Sequence, residues 1–349
     1  MALLVAIVLM NVVAWGVLAL LVVPKHLRIG TEIFGLGLGV TAYTLGVRHA
    51  FDADHIAAID NTTRKLIADG RQPVSVGFWF ALGHSGIVVL LAAGVAAGAK
   101  FVAGLTHDGS PARQDLGVVS TSASGLFLYL IGILNLVALV GIARVYRGAR
   151  AGRFDPRRLD EALAKRGVVT RLLLPLMRTI SRPWQMLLVG LLFGIGFDTA
   201  TEVTLLILAG SGASSGLPWY AVLVLPLLFA AGMSLFDTLD GAFMNVAYRW
   251  AFAHPVRKIY YNLTITGLSV AVALLIGTIE LVGVLHDQLR WHDGLSTWIS
   301  GLDLNNVGFL IVGVFLLVWA LAVAYWKIGR VEHRWPADLA TASTDGKDM

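Results

Sequence analysis

The chain contains no cysteine among its 349 residues. That absence excludes disulfide scaffolds, thiolate zinc or iron–sulfur sites and cysteine nucleophiles, leaves the redox compartment open, and requires any bound metal to be held by nitrogen and oxygen. Charge is scarce as well. Only 14% of the residues are Asp, Glu, Lys or Arg, against roughly a quarter in soluble domains. There is no glycine-rich phosphate loop ending in Lys-Ser/Thr, so ATP hydrolysis by that route is excluded, and no His-Glu-x-x-His helix. What the chain has in quantity is apolar surface: 57% of residues are hydrophobic and the mean hydropathy is +0.75. Such proportions describe a protein whose main solvent is lipid, and they exclude a cytosolic enzyme. The formal charge of +5 and pI near 9.6 do not point to nucleic acid as a partner. The basic residues lie between apolar stretches, where an inside-positive bias accounts for them.

A bilayer core of about 30 Å takes about 20 apolar residues per helix. Eight stretches qualify, near residues 2–23, 33–59, 74–98, 118–142, 184–210, 219–247, 260–285 and 306–326. They are continuously apolar and too long for barrel strands of about ten alternating residues. The expected fold is therefore all-α: a polytopic membrane protein, a bundle of about eight transmembrane helices over residues 1–326, followed by a disordered cytoplasmic tail at 327–349. The first run lacks the basic n-region and small-residue cleavage site of a signal peptide and is kept as a helix. With the N-terminus in the cytoplasm, the inner segments hold 21 Lys and Arg and the outer loops five. That imbalance puts both termini inside, although Lys25 and Arg28 oppose it locally. The longest connection, 143–183, carries 11 of the basic residues. It reads as a cytoplasmic, headgroup-facing segment with a helical stretch from about 156 to 180, too short for a core of its own.

An ionisable group at mid-bilayer costs roughly 2.5–3.5 kcal/mol even on the insertion scale, so each one is a functional candidate. The second span holds Arg48, His49, Asp52, Asp54 and His55; the third His84; the fifth Asp198 and Glu202; the sixth Asp237 and Asp240. Asp60 and Glu280 lie near span ends and read as interfacial. Six carboxylates against one arginine would cost on the order of 15–20 kcal/mol unless they pair, protonate or meet a cation. The bundle calls for a positive ligand. On a straight helix of about 100° per residue, with His49 at zero, Asp52 falls near −60°, Arg48 near −100° and His55 near −120°. Asp54 falls near +140°, so it supports another neighbour unless the helix is locally unwound. Asp198 and Glu202 stack four apart, as Asp237 and Asp240 do three apart.

Blander readings stand beside these. His84 serves an interhelical hydrogen bond as readily as a ligand role, Arg48 suits an internal counter-ion because a guanidinium repels metal cations, and Thr199 suits a helix-packing hydroxyl. The candidate metal ligands are His49, Asp52, Asp54 and His55, with the choice between Asp52 and Asp54 open. Arg48, His84, Asp198, Thr199, Glu202, Asp237 and Asp240 form the candidate ion path or its support. Imidazole with carboxylate suits Ni²⁺, Co²⁺ and Zn²⁺, whereas all-oxygen cages suit Mg²⁺ or Ca²⁺. The ion would be cargo, with no resident cofactor expected. The lipid bilayer is the other expected partner, and the oligomeric state is open.

Four motifs then carry a resemblance. Arg48-His-Ala-Phe-Asp-Ala-Asp-His-Ile56 is similar to the His-x-x-x-x-Asp-His signature in the second helix of the nickel/cobalt transporter family. Phe80-Ala-Leu-Gly-His-Ser85, Gly196-Phe-Asp-Thr-Ala-Thr-Glu202 and Gly232-Met-Ser-Leu-Phe-Asp-Thr-Leu-Asp240 resemble its third-, fifth- and sixth-helix motifs. The third departs from the family's Ser-Val-Val continuation with Gly86-Ile87-Val88, in a helix that affects transport properties. The resemblance implies high-affinity uptake of Ni²⁺, Co²⁺ or both across a prokaryotic cytoplasmic membrane by an ATP-independent carrier. It maps functional positions to His49, Asp54 and His55, with His84, Asp198, Glu202, Asp237 and Asp240 in the other signatures. Rival readings are an efflux carrier of the same superfamily, an intramembrane metalloenzyme, and a membrane subunit served by a separate ATPase. The efflux carriers often bear a His-rich loop, and 143–183 contains no histidine. A metalloenzyme usually needs more histidines than His49, His55 and His84.

A weaker pattern concerns architecture. Phe51-Asp52 precedes Leu82-Gly-His-Ser85 at about the distance by which Phe197-Asp198 precedes Ala231-Gly-Met-Ser234. If the second to fourth helices correspond to the fifth to seventh, the intervening odd number of crossings makes the repeat inverted. The matching letters are few.

Overall fold

The computed structural model describes residues 2–29, 32–97, 111–150, 180–195, 202, 205, 208, 210–211, 215–252, 255–289, 293–302 and 307–329. Among the described residues the protein is all-α but for a two-residue antiparallel pairing of β1 (Arg28–Ile29) with β2 (Glu32–Ile33). The helices are α1 (Ala2–Val17), α2 (Leu36–His49), α3 (Ala53–Ala68), α4 (Val76–Ala96), α5 (Pro111–Arg150), α6 (Met186–Gly194), α7 (Trp219–Phe252), α8 (Pro255–Leu289), α9 (Gly294–Ser300) and α10 (Val307–Gly329). Glu202, Leu205, Leu208, Gly210 and Ser211 are helical as well. Among the described residues five helices are long and apolar enough to cross a bilayer: Ala2–Lys25, Val76–Gly94, Gln114–Gly141, Trp219–Tyr248 and Thr266–Leu289. Pro183–Gly194 and Val307–Val318 are shorter apolar helices. Leu9, Val12, Leu20, Leu90 and Leu310 stay exposed on the outside of the bundle, the arrangement expected where lipid replaces water. The helical stretch read near 156–180 and the tail beyond 329 lie outside the described residues, apart from Ile180.

The stretch 33–59, read from the sequence as one span, is two helices. α2 ends at His49, and Asp52 takes an extended conformation at the start of α3. Turn hydrogen bonds from Phe51 N to Arg48 O (3.0 Å) and Asp52 N to His49 O (2.9 Å) occupy backbone groups that the break would free. The Phe51 ring stacks on Phe309 of α10, and a Cβ at Gly308 would overlap the Phe51 carbonyl oxygen. Glycine at 308 therefore lets α10 seat the broken backbone inside protein, the condition under which non-helical backbone is tolerated at membrane depth. α3 then runs on to Ala68. It carries Asp60, Asn61, Thr62, Thr63, Arg64 and Lys65 inside the bundle, none more than 4% exposed. Asp60, read from the sequence as near a span end, is thus covered by protein.

α4 and α7 pack together at the centre; α2 lies against α7, α6 against α4, and α5 against α8. These contacts repeat. A Cβ at Gly46 in α2 would strike the Phe229 carbonyl of α7, and one at Gly190 in α6 would strike the Phe80 carbonyl of α4. Gly232 abuts Tyr43 O and Val47 N, just as Gly83 abuts Leu187 O and Leu191 N. One sequence offset carries Tyr43, Gly46 and Val47 to Leu187, Gly190 and Leu191. A second carries Phe80 and Gly83 to Phe229 and Gly232. In α5 and α8, Gly125 meets Leu281 while Gly277 meets Tyr129, again reciprocally. Such exchange of equivalent contacts is what the repeat suggested by the sequence would give. Small residues at each crossing let the backbones approach closely, which is how helices associate in lipid.

Candidate metal centre

The break between α2 and α3 creates the site. On an unbroken helix His49 and His55 would project about 120° apart. With the chain turned at Ala50–Asp52, their rings meet edge-on, 4.7 Å apart between centroids with 69° between the planes. His84 of α4 completes a triangle, 4.8 Å from each. Gly83, beside it, allows α6 and α4 to touch, so a side chain there would push α4 away from the centre. All three histidines are buried, at 1%, 0% and 3% exposure, and each offers a ring nitrogen within 4.8 Å of the others.

Two carboxylates set the orientation. His49 Nδ1 lies 2.7 Å from Asp52 Oδ2, which fixes the ring and turns Nε2 toward the centre. There His49 Nε2 is 2.9 Å from His84 Nε2, His84 Nε2 is 2.8 Å from Glu202 Oε1, and His49 Nε2 is 3.8 Å from the same oxygen. Three atoms at these separations share a point about 1.9 Å from each, close to the ~2.0–2.1 Å of imidazole and carboxylate bonds to a divalent transition metal. A carboxylate behind the distal nitrogen of a ligating histidine raises the basicity of the ring and holds its tautomer; Asp52 stands in that place behind His49.

The other candidates divide. Nδ1 of His55 is 3.5 Å from Asp237 Oδ2, and neither ring nitrogen nor either Asp237 oxygen makes a hydrogen bond. Asp54 lines a cavity of about 860 Å³ that also exposes His49, Asp52 and His84. Asp240 follows Asp237 one turn further along α7. Arg48 is only partly buried, in the last turn of α2. Asp198 and Thr199 lie outside the described residues. Reading by sequence placed His84 and Glu202 among supporting groups, whereas they share the central point with His49; only the common position of both in family motifs signalled this. It missed a second buried polar group. The Tyr248 hydroxyl donates to Asp60 Oδ1 and pairs with Ser269 Oγ at 3.0 Å. Arg64 Nη1 donates to Thr266 Oγ1 at 2.9 Å, and Asn135 Nδ2 to Asn61 Oδ1 at 2.8 Å.

A polytopic helical bundle with a buried imidazole–carboxylate cluster beside a cavity is an arrangement suited to a membrane transporter of metal ions. The comparisons make the class specific. The chain belongs to the family described as "High-affinity nickel-transport protein", which matches residues 35–325. It is 56% identical over 330 residues to the nickel transporter NicT of Mycobacterium tuberculosis, covering 94% of this chain and 89% of that one. It is 45% identical over 300 residues to the nickel transporter NixA of Staphylococcus aureus (86% and 88%). It is 44% identical over 293 residues to the cobalt transport protein NhlF of Rhodococcus rhodochrous (83% and 82%). No solved structure matches.

Proposed function

We propose that the chain imports Ni²⁺, Co²⁺ or both across the cytoplasmic membrane as a secondary, ATP-independent carrier, with both termini in the cytoplasm. The observation that carries the reading is the convergence of His49 Nε2, His84 Nε2 and Glu202 Oε1 on one point at metal-bond distance. Two imidazoles and a carboxylate suit borderline divalent ions. The relatives named as nickel and cobalt transporters support the same cargo.

Each residue has a task on this reading. His49, His84 and Glu202 replace part of the ion's hydration shell, and Asp52 holds His49 in the tautomer that presents Nε2. His55 and Asp237 form the next step, and Asp240 continues the acidic path along α7, with Asp198 as its partner from the fifth-helix motif. Inward movement of a divalent cation through 100 mV yields about 4.6 kcal/mol, twice the single-charge value, so the membrane potential suffices as a driving force. The test is accumulation of radioactive nickel and cobalt, each competed by the other, in a host lacking its own importers. Accumulation at submicromolar metal is expected. No accumulation of either ion, with the protein present in the membrane, contradicts the reading.

A further inference from the structure

The cavity above the histidines has walls that the transport reading does not use. It is bounded by the start of α5, through Gln114, Val118 and Ser124, and by the end of α8, through Glu280, Val284 and Asp287. At about 860 Å³ it has room for on the order of 20–30 waters at ~30 Å³ each, so an ion can enter it hydrated. Its charge is one-sided. Four carboxylates line it, Asp52, Asp54, Glu280 and Asp287, and no Lys or Arg does among the described residues. Glu280 and Asp287 are seven residues apart, two turns along one face of α8. At the floor, Asp52 is 6% exposed with Oδ1 lacking any hydrogen-bond partner, and Nδ1 of His84 lacks one too. Beyond the histidines, the α3 side is filled by the buried Asp60–Tyr248–Ser269 and Arg64–Thr266 bonds.

We infer that this cavity is the vestibule through which the metal ion reaches the histidines from the outer face, and that Glu280 and Asp287 are cation-guiding residues along it. The inference rests on the uptake reading and adds to it a route, a side and two residues outside the transport motifs. A low-dielectric cleft lined by one sign of charge concentrates counter-ions and speeds their capture without changing the step that follows. The α5-start and α8-end rim is the side that the Lys and Arg distribution places outside.

The test combines kinetics with accessibility. In nickel uptake by whole cells, Glu280→Gln is expected to raise KM about three- to tenfold with little change in maximal rate. Asp287→Asn should add to it, and both effects should shrink as salt screens the vestibule. His84→Ala, by contrast, should remove uptake altogether. Because the chain has no cysteine, Val284→Cys and Val118→Cys, both partly exposed in the cavity, each carry a unique thiol. A charged, membrane-impermeant thiol reagent applied outside should modify them, more slowly in the presence of Ni²⁺, and should spare Arg71→Cys at the opposite end. Cavity cysteines inert from outside, or modified only from inside, in cells that accumulate nickel would overturn the vestibule while leaving the carrier standing. An unchanged KM for Glu280→Gln would overturn the role of α8. Failure of the unmodified chain to accumulate either metal would overturn the uptake reading itself.

Discussion

His49 has both ring nitrogens committed, one to Asp52 at 2.7 Å and the other toward His84 and Glu202. Removing the ring therefore removes a ligand and leaves Asp52 as a buried, unpaired carboxylate, a change that costs binding and folding together. His84→Ala removes a proposed ligand and the 2.8 Å partner of Glu202, but leaves the His49–Asp52 pair in place. It is expected to abolish high-affinity nickel uptake while the protein still reaches the membrane, and Glu202→Gln should behave likewise. Asp52→Asn keeps the shape but weakens the support of His49, and a tenfold to hundredfold loss of affinity is expected. His26→Asn, exposed near the β1–β2 pairing, should leave the uptake curve where it is. Isotope uptake over a range of metal concentrations checks all four. At this scale the sequence was partly legible. Paired His and Asp within one apolar span expose themselves through the cost of burying them. That His84 and Glu202 meet His49 depends on contacts between three helices, which spacing along one helix does not encode. The burial of the polar run from Asp60 to Lys65 was not legible either: it looks like the end of a span, yet it packs inside the bundle, with Asp60 accepting from Tyr248, Arg64 donating to Thr266 and Asn61 accepting from Asn135.

At the scale of helices, two devices position the site. The first is the break at Ala50–Asp52, which brings the rings of His49 and His55 into edge contact. Periodicity treats each apolar run as one helix, so only the misplacement of Asp54 on the helical wheel hinted at it. The second is the set of glycine crossings, where Gly83 and Gly190 let α4 and α6 touch, and Gly46 and Gly232 do the same for α2 and α7. Substitution at such a crossing must move a backbone. Gly83→Leu is expected to destabilise the protein by at least about 1–3 kcal/mol, seen as a lower melting temperature and a lower yield of folded protein in detergent. Gly86→Leu, on the same helix with nothing within 4 Å of a Cβ, should be tolerated. Equal losses for the two would mean that α4 does not depend on the crossing. The reciprocal glycine contacts between α2 and α7 and between α6 and α4 fit the repeat hinted at by Phe51-Asp52 and Phe197-Asp198, although Phe197 and Asp198 themselves lie outside the described residues.

For the molecule as a whole, the cavity reaches the histidines from the side of the α5 start and the α8 end, while the buried hydrogen bonds of Asp60 and Arg64 lie further along α3. On the proposed function, such a one-sided opening is what a carrier that exposes its site to one face at a time would present. Membrane spans and charge asymmetry are strong in sequence because lipid leaves few alternatives, whereas the cavity and these buried hydrogen bonds arise only when helices are assembled. If transport is secondary, an ionophore that collapses the membrane potential at constant ATP should lower nickel accumulation severalfold, and ATP depletion at a clamped potential should not. The reverse pattern, measured with the same isotope, would assign the energy to a partner ATPase.

X-ray absorption at the nickel edge of the purified, nickel-loaded protein tests the central claim most directly. The account predicts a first shell of nitrogen and oxygen at about 2.0–2.1 Å with the outer-shell scattering of at least two imidazoles, reduced by one ring in His84→Ala. A shell of oxygen alone, or one that His84→Ala leaves unchanged, would contradict it.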